Sequence, residues 1–258
     1  MKSRQGVGDI CIDPKNPKSE VTDDDQVKAN IFSKFFASVQ VDEVGESPKI
    51  DKKKIKESMG KLKVKRKHVL KILKDLKPNK AAGIDKMSPK ILREIADEIA
   101  DIITSLFNDS INSGEIPGNW LCALITIIFK KGKKTMPGNY RPVSLTCILC
   151  KCLEKIIRDH IVDHMKRNKL FSKFQYGFLS GRSVALQLLY AMEKWTEVID
   201  NGGEVDCIYT DFMKAFDRVP HKRLLEKMKS YGISDELCTW VEAFLTNRYQ
   251  QVVSNKQQ

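Results

Sequence analysis

Leu121 to Phe129 reads LCALITIIF, nine residues without a charge and rich in β-branched side chains. The run is too short for a helix on the scale of its neighbours, so it is expected to form a buried strand. Upstream, Ser88-Pro89 places an N-cap residue before a proline suited to the first helical position. One helix with a wide apolar stripe is then expected, marked by Ile91, Leu92, Ile95, Ile99, Ile102, Ile103, Leu106 and Phe107 and ended by Gly114 and Pro117. Downstream, Cys150, Leu153, Ile156, Ile157 and Ile161 keep helical spacing and place another helix over about 148–166. Helices and isolated strands in this irregular order suit an α+β fold, mostly helical, better than a regular alternation of β and α.

The remaining chain extends that reading. The first 25 residues are polar and turn-rich, after which Val27, Ile31, Phe35 and Val39 recur at helical spacing. A helix over about 184–199 is expected to bury Leu188, Leu189, Met192 and Trp195, and Asn201-Gly202-Gly203 forces a turn after it. Glu204 to Phe212 reads as a strand that enters the core at Val205, Cys207 and Ile208 and carries Asp211 at its C-terminal end. Helices near 221–230 and 235–245 follow, and Tyr249 to Val253 begins a strand for which the sequence offers no evident mate. There are no internal repeats. The expected organisation is a polar tail over 1–26, a helical basic extension over 27–110, and a third segment over 111–258.

Composition narrows the partners. The chain has 258 residues, 41% of them hydrophobic, enough to bury a core, and a formal net charge of +12. Fourteen Lys/Arg stand between Lys49 and Lys80 against Asp51, Glu57 and Asp75, so this stretch holds nearly all of the excess. Such a block is equally a solvated face and a binding surface for an anion, nucleic acid and anionic membrane being the usual candidates. No run of eighteen apolar residues occurs, and the N-terminus has no apolar core before a cleavage site. The expectation is an intracellular protein, with nucleus and cytoplasm both open. Seven cysteines then read as reduced thiols. Cys147, Cys150, His160 and His164 outline a zinc finger, but nine intervening residues are too few, and one helix would spread the four over several turns.

An ionised carboxylate against an apolar strand is costly unless a cation or hydrogen bonds compensate. At Asp211 that points either to a metal or to a structural carboxylate capping the next turn or paired with a lysine. The surrounding residues decide between them. Tyr209-Thr210-Asp211-Phe212-Met213-Lys214-Ala215-Phe216-Asp217-Arg218-Val219-Pro220-His221 resembles the first palm motif of the reverse transcriptases of non-LTR retrotransposons, the LINE- or jockey-like elements. Asn139-Tyr140-Arg141-Pro142-Val143-Ser144-Leu145 resembles that family's fingers motif. Gln175-Tyr176-Gly177-Phe178 with Gly181-Arg182-Ser183 resembles the segment between fingers and palm. Fainter likenesses fall at 80–85, 116–120, 130–132 and 244–248, so the resemblance covers roughly residues 28–253. Two departures stand out: Lys86 where a glycine is expected, and Val184 where a small polar residue is expected.

The resemblance implies an RNA-directed DNA polymerase, with right-hand fingers and part of a palm, acting on an RNA template, a DNA primer and a dNTP. Such nucleotidyl transfer needs two divalent ions about 3.5–4 Å apart, and Mg2+ suits carboxylates bridged to phosphates. By resemblance Asp211 is the catalytic carboxylate and metal ligand, with the backbone carbonyl of Phe212 beside it. Phe216, which alone reads as core packing, becomes the bulky residue that screens out a ribose 2′-hydroxyl. Lys130, Lys131 and Arg141 are expected to hold the triphosphate, Arg by its planar fork and Lys as a point charge. Gln175, Gly177 and Arg182 are expected to contact the nucleic acid. Asp217 and His221 are assigned structural roles at a turn and a helix start.

The family's template-gripping motif and its hairpin of two adjacent aspartates follow the first palm motif, and no such pair occurs here. Asp23-Asp24-Asp25 precedes the fingers and is no substitute. The chain alone is therefore expected to be a truncated fragment, inactive as a polymerase. Its fifty N-terminal residues are also too few to hold the family's upstream endonuclease. The competing reading is a non-catalytic nucleic-acid-binding module derived from such an element, and a helical interaction scaffold is a third.

Overall fold

A strand as apolar as residues 122–129 satisfies its backbone only by pairing on both edges, and its partners come from distant parts of the chain. In the computed structural model, which describes residues 7–39, 50–51 and 55–253, two short strands come first, β1 (Ile10–Cys11) and β2 (Val21–Thr22). They are followed by α1 (Asp25–Ala37), α2 (Arg66–Lys74), α3 (Pro89–Glu94), α4 (Ala96–Ser113), β3 (Cys122–Phe129) and β4 (Tyr140–Leu145). The order closes with α5 (Ile148–Arg167), α6 (Val184–Asp200), α7 (His221–Ser230), α8 (Asp235–Leu245) and β5 (Tyr249–Val253). This is a mixed helix-and-strand fold, as expected.

β3 is the centre of a three-stranded sheet ordered β4-β3-β5. It pairs antiparallel with β4, Phe129 opposite Tyr140 and Leu124 opposite Leu145, and parallel with β5, Cys122 opposite Tyr249 and Thr126 opposite Val253. The expectation that Tyr249–Val253 lacks a mate is thus overturned. Its mate is β3, more than 120 residues earlier, and a parallel pairing across that separation leaves no local signature.

α1 packs over this sheet. Ile31, Phe32 and Phe36 bury against Ala123, Ile125 and Tyr140, and Gln250 Nε2 donates to the Ser33 carbonyl at 3.1 Å. Asp24 caps the helix by accepting from Val27 N at 2.7 Å. Residues 10–22, expected as polar tail, instead form the β1–β2 hairpin. Ile10 is fully buried in the same cluster, and the Cys11 amide donates to Thr135 O at 2.9 Å. Two apolar residues among many polar ones were enough to anchor the segment.

The second core is helical. Val69 and Leu73 of α2, Phe107 and Ile111 of α4, Leu153 and Ile157 of α5, and Leu237 and Trp240 of α8 close around it. Both cores draw on residues from each side of position 110.

Three further expectations fail for one reason: apolar periodicity reports a capacity to pack, not a partner. The helix expected over 91–107 breaks at Ile95 (φ −97°, ψ 21°) into α3 and α4. Only Leu92, Ile103 and Phe107 of its stripe are buried, while Ile91 and Ile102 remain 60% and 70% exposed. In α6 no residue is buried, and Leu188, Leu189 and Met192, expected in the core, face outward. Glu204–Phe212 forms no strand, because none of the described residues pairs with it. Its Ile208 and Tyr209 are exposed.

Candidate functional site

The β3–β4 connection is built to hold a basic turn. Lys130 N donates to Asn139 O at 2.9 Å, Asn139 Nδ2 donates to Lys133 O at 2.9 Å, and the buried Tyr140 hydroxyl donates to Lys134 O at 2.6 Å. Burial pushes the Tyr140 phenol up from its ordinary pKa. Gly132 adopts φ 92°, and a Cβ there would stand 2.6 Å from Asn139 Nδ2, so both its backbone angle and its lack of a side chain are used. Lys130 and Lys131 project into solvent from this turn, and Arg141, paired opposite Ile128, is likewise exposed.

The second group, Gln175, Gly177 and Arg182, is also brought together. The Arg182 guanidinium donates to the carbonyls of Lys173 and Gln175, the latter at 3.0 Å, and lies 4.9 Å from the Tyr176 ring centroid. Gln175 Nε2 donates to Gly177 O at 3.3 Å. Arg182 therefore braces the loop that precedes α6, and Ser183 caps that helix by accepting from Leu186 N at 3.2 Å.

The segment bearing Asp211 has no regular secondary structure and then turns at 213–218, where Asp217 N and Arg218 N donate to Lys214 O at 3.0 and 3.1 Å. Asp211 and Phe212 are exposed. Phe216 is 79% exposed, which argues against the core-packing reading, and its ring meets that of Phe178 edge-on at 5.9 Å. Lys214 lies over the Phe35 ring, 4.6 Å from its centroid, where burial lowers its pKa. A Cβ on Gly138 would stand 3.5 Å from the Phe35 Cζ, so this one ring on α1 lies beside the turn before Asn139 as well as against Lys214 in the segment after Asp211. Sequence reasoning placed Phe35 on a helix stripe and gave it no part in the site. Nothing local distinguishes it from any other core aromatic.

Among the described residues no group of three or more His, Cys, Asp or Glu could hold a metal ion. Asp211 supplies a single carboxylate, and one carboxylate does not make a two-ion clamp. The cysteines and histidines of the zinc outline each have another partner. Cys147 Sγ donates to Asn119 O, Cys150 Sγ to Glu154 Oε1, His160 Nε2 bonds Gly60 O and the buried His164 Nε2 bonds Tyr231 O.

The segment 80–86 docks against the start of α5. A Cβ on Gly83 would lie 2.6 Å from Cys147 N, and Lys86, standing where a glycine is expected, has φ 55°. Burial, reinforced by Asp85, pushes the Cys147 thiol up to about 11. Of the basic block, Arg66 pairs with Asp101, Lys74 with Asp97 and Lys61 with Glu236. Lys49 and Lys52 to Lys54 lie outside the described residues. Among those residues, no helix is long and apolar enough to cross a membrane.

Residues 128–258 match the family model described as Reverse transcriptase (RNA-dependent DNA polymerase). The chain is 30% identical over 188 residues to the RNA-directed DNA polymerase from mobile element jockey of Drosophila funebris, covering 72% of this chain and 20% of that protein. It is 31% identical over 170 residues to the jockey protein of Drosophila melanogaster, covering 66% and 18%. It is also 31% identical over 152 residues to a probable RNA-directed DNA polymerase from transposon X-element of Drosophila melanogaster, covering 58% and 17%. The chain thus spans about a fifth of the length of these curated relatives.

Proposed function

The chain belongs to the reverse transcriptase (RNA-dependent DNA polymerase) family of non-LTR mobile elements, and from that premise we propose that it carries the fingers and the first part of the palm of an RNA-directed DNA polymerase. In this reading Asp211 and the Phe212 carbonyl would supply part of a Mg2+ site that further carboxylates must complete, and Lys130, Lys131 and Arg141 hold the triphosphate of the incoming dNTP. Phe216 screens its sugar, and Gln175 and Gly177 face RNA template or DNA primer on the loop that Arg182 braces. The supporting observation is Phe35, whose ring lies against Lys214 and beside the turn before Asn139, bringing the hairpin of Arg141 near the segment of Asp211.

Each role draws on what the side chain can do. A guanidinium fork and two ammonium groups lower the cost of gathering a triphosphate. A bulky ring at Phe216 excludes by contact. The single carboxylate leaves the two-ion clamp incomplete, so the 258-residue chain by itself is inactive.

The test is primer extension on an RNA template, run with the purified chain and with a whole protein made by grafting the chain into the corresponding segment of a jockey-type polymerase. The expected result is no extension by the chain alone, and extension by the whole protein that Asp211→Asn abolishes and Phe216→Ala opens to ribonucleotides. Full activity of the Asp211→Asn protein would overturn the assignment.

A second reading, a nucleic-acid-binding module without catalysis, is favoured by one observation. Lys63, Lys65, Lys67, Lys71, Lys77 and Lys80 form no ion pair among the described residues. A steep salt dependence of RNA affinity in the chain alone, flattened when these lysines are neutralised, is its signature.

A further inference from the structure

Where α2 ends, the loop that follows it and α5 border a half-open cavity of about 380 Å³. Its floor is apolar: Ile72, Leu76, Pro89, Leu145, Ile148 and Cys152. Around it stand Lys77 and Lys80 from the loop after α2, and Lys151 and Lys155 one turn apart on α5, with Asp75 the lone carboxylate in the lining. None of the four lysines forms an ion pair among the described residues. Four ammonium-bearing side chains lining one cavity repel one another, so the arrangement gains by admitting negative charge.

We propose that this cavity is a docking site for an acidic peptide segment of a partner protein, one that inserts a large aliphatic side chain between flanking Asp or Glu residues. The floor supplies the apolar half of the match, and the cavity has room for one such anchor. The lysines supply the other half as mobile point charges, which suit carboxylates at varied positions along a peptide. Single-stranded nucleic acid fits less well. Its bases bind by stacking on aromatic rings or guanidinium planes, and the cavity is lined by neither. The site does not depend on the polymerase reading, since none of its charged residues belongs to the nucleotide or metal site.

The test uses the 258-residue chain and a fluorescein-labelled twelve-residue peptide of Asp, Glu and Ser with two central leucines, followed by anisotropy. The expected result is saturable binding, weakened at least tenfold when the leucines become serines, and at least tenfold by Lys151→Glu with Lys155→Glu. Those two substitutions lie on exposed positions of α5 and circular dichroism checks that the fold survives them. Lys18→Glu, exposed in the β1–β2 hairpin and outside the cavity, is expected to leave binding unchanged. No binding overturns the proposal. So does binding indifferent to the leucines, or a single-stranded RNA twelve-mer that binds more tightly than the peptide and loses its affinity in the Lys151/Lys155 variant.

Discussion

Trp240 on α8 donates its indole N–H to the Ser110 hydroxyl on α4 at 3.0 Å, across 130 residues of sequence, and Ser110 passes the bond on to the Glu115 carbonyl at 2.7 Å. Trp240 is 2% exposed, so the indole nitrogen has no access to water if this partner is removed. Ser110→Ala is expected to lower stability by about 1–3 kcal/mol, the cost of a buried donor left unpaired. Trp240→Phe also removes packing, and the double variant is expected to cost less than the sum of the two. Urea denaturation of the four proteins measures the cycle.

Gly83 and Lys86 are three residues apart and predict opposite signs. Gly83→Ala drives a Cβ into the backbone of Thr146 and Cys147, and is expected to cost about 1–3 kcal/mol through overpacking. Lys86→Gly releases a left-handed backbone angle, partly offset by the greater freedom of glycine in the unfolded chain, and is expected to stabilise by under about 1 kcal/mol. Thermal melts distinguish the two directions.

The α5 thiols predict an alkaline limit. Burial pushes Cys152 up to about 11 and Cys150 higher still, with Glu154 adding to the latter. An unfolded thiol titrates lower, near 8.5. Below that pH both states hold the proton and stability is unaffected. Above it the unfolded state binds fewer protons than the folded one, so stability falls as pH rises from about 9 to 11. Cys150→Ala with Cys152→Ala is expected to flatten this slope in denaturation midpoints measured across the range. At pH 8, alkylation is expected to reach the exposed Cys207 first and these two only on unfolding.

Asp211 is exposed, so in the 258-residue chain Asp211→Asn is expected to change stability by less than about 0.5 kcal/mol. Millimolar Mg2+ or EDTA is expected to leave the melting temperature where it was. A clear Mg2+-dependent rise, lost in Asp211→Asn, would show that one carboxylate is enough to hold the ion.

Much of the helical framework was legible because amphipathic periodicity and caps are local. Ser88 ahead of Pro89, the α5 repeat, and the bounds of α7 and α8 all appear where the spacing places them. The candidate site was legible as motifs but not as an arrangement. The loop of Gln175 and Gly177 was expected to touch nucleic acid, yet nothing in the sequence says that Arg182 is occupied in bracing it, or that Phe35 lies beside two motifs.

The sequence by itself determined the family, through motifs read residue by residue, and the location of most helices, because 3.6-residue periodicity and capping are properties of neighbouring residues. Only the tertiary structure decided that β5 pairs with β3, that Ile10 anchors the N-terminal hairpin, and that α6 and residues 204–212 stay uncovered among the described residues. The physical reason is common to all three. Burial and strand pairing need a second surface, and a run of residues specifies its own periodicity but not which distant segment arrives to meet it.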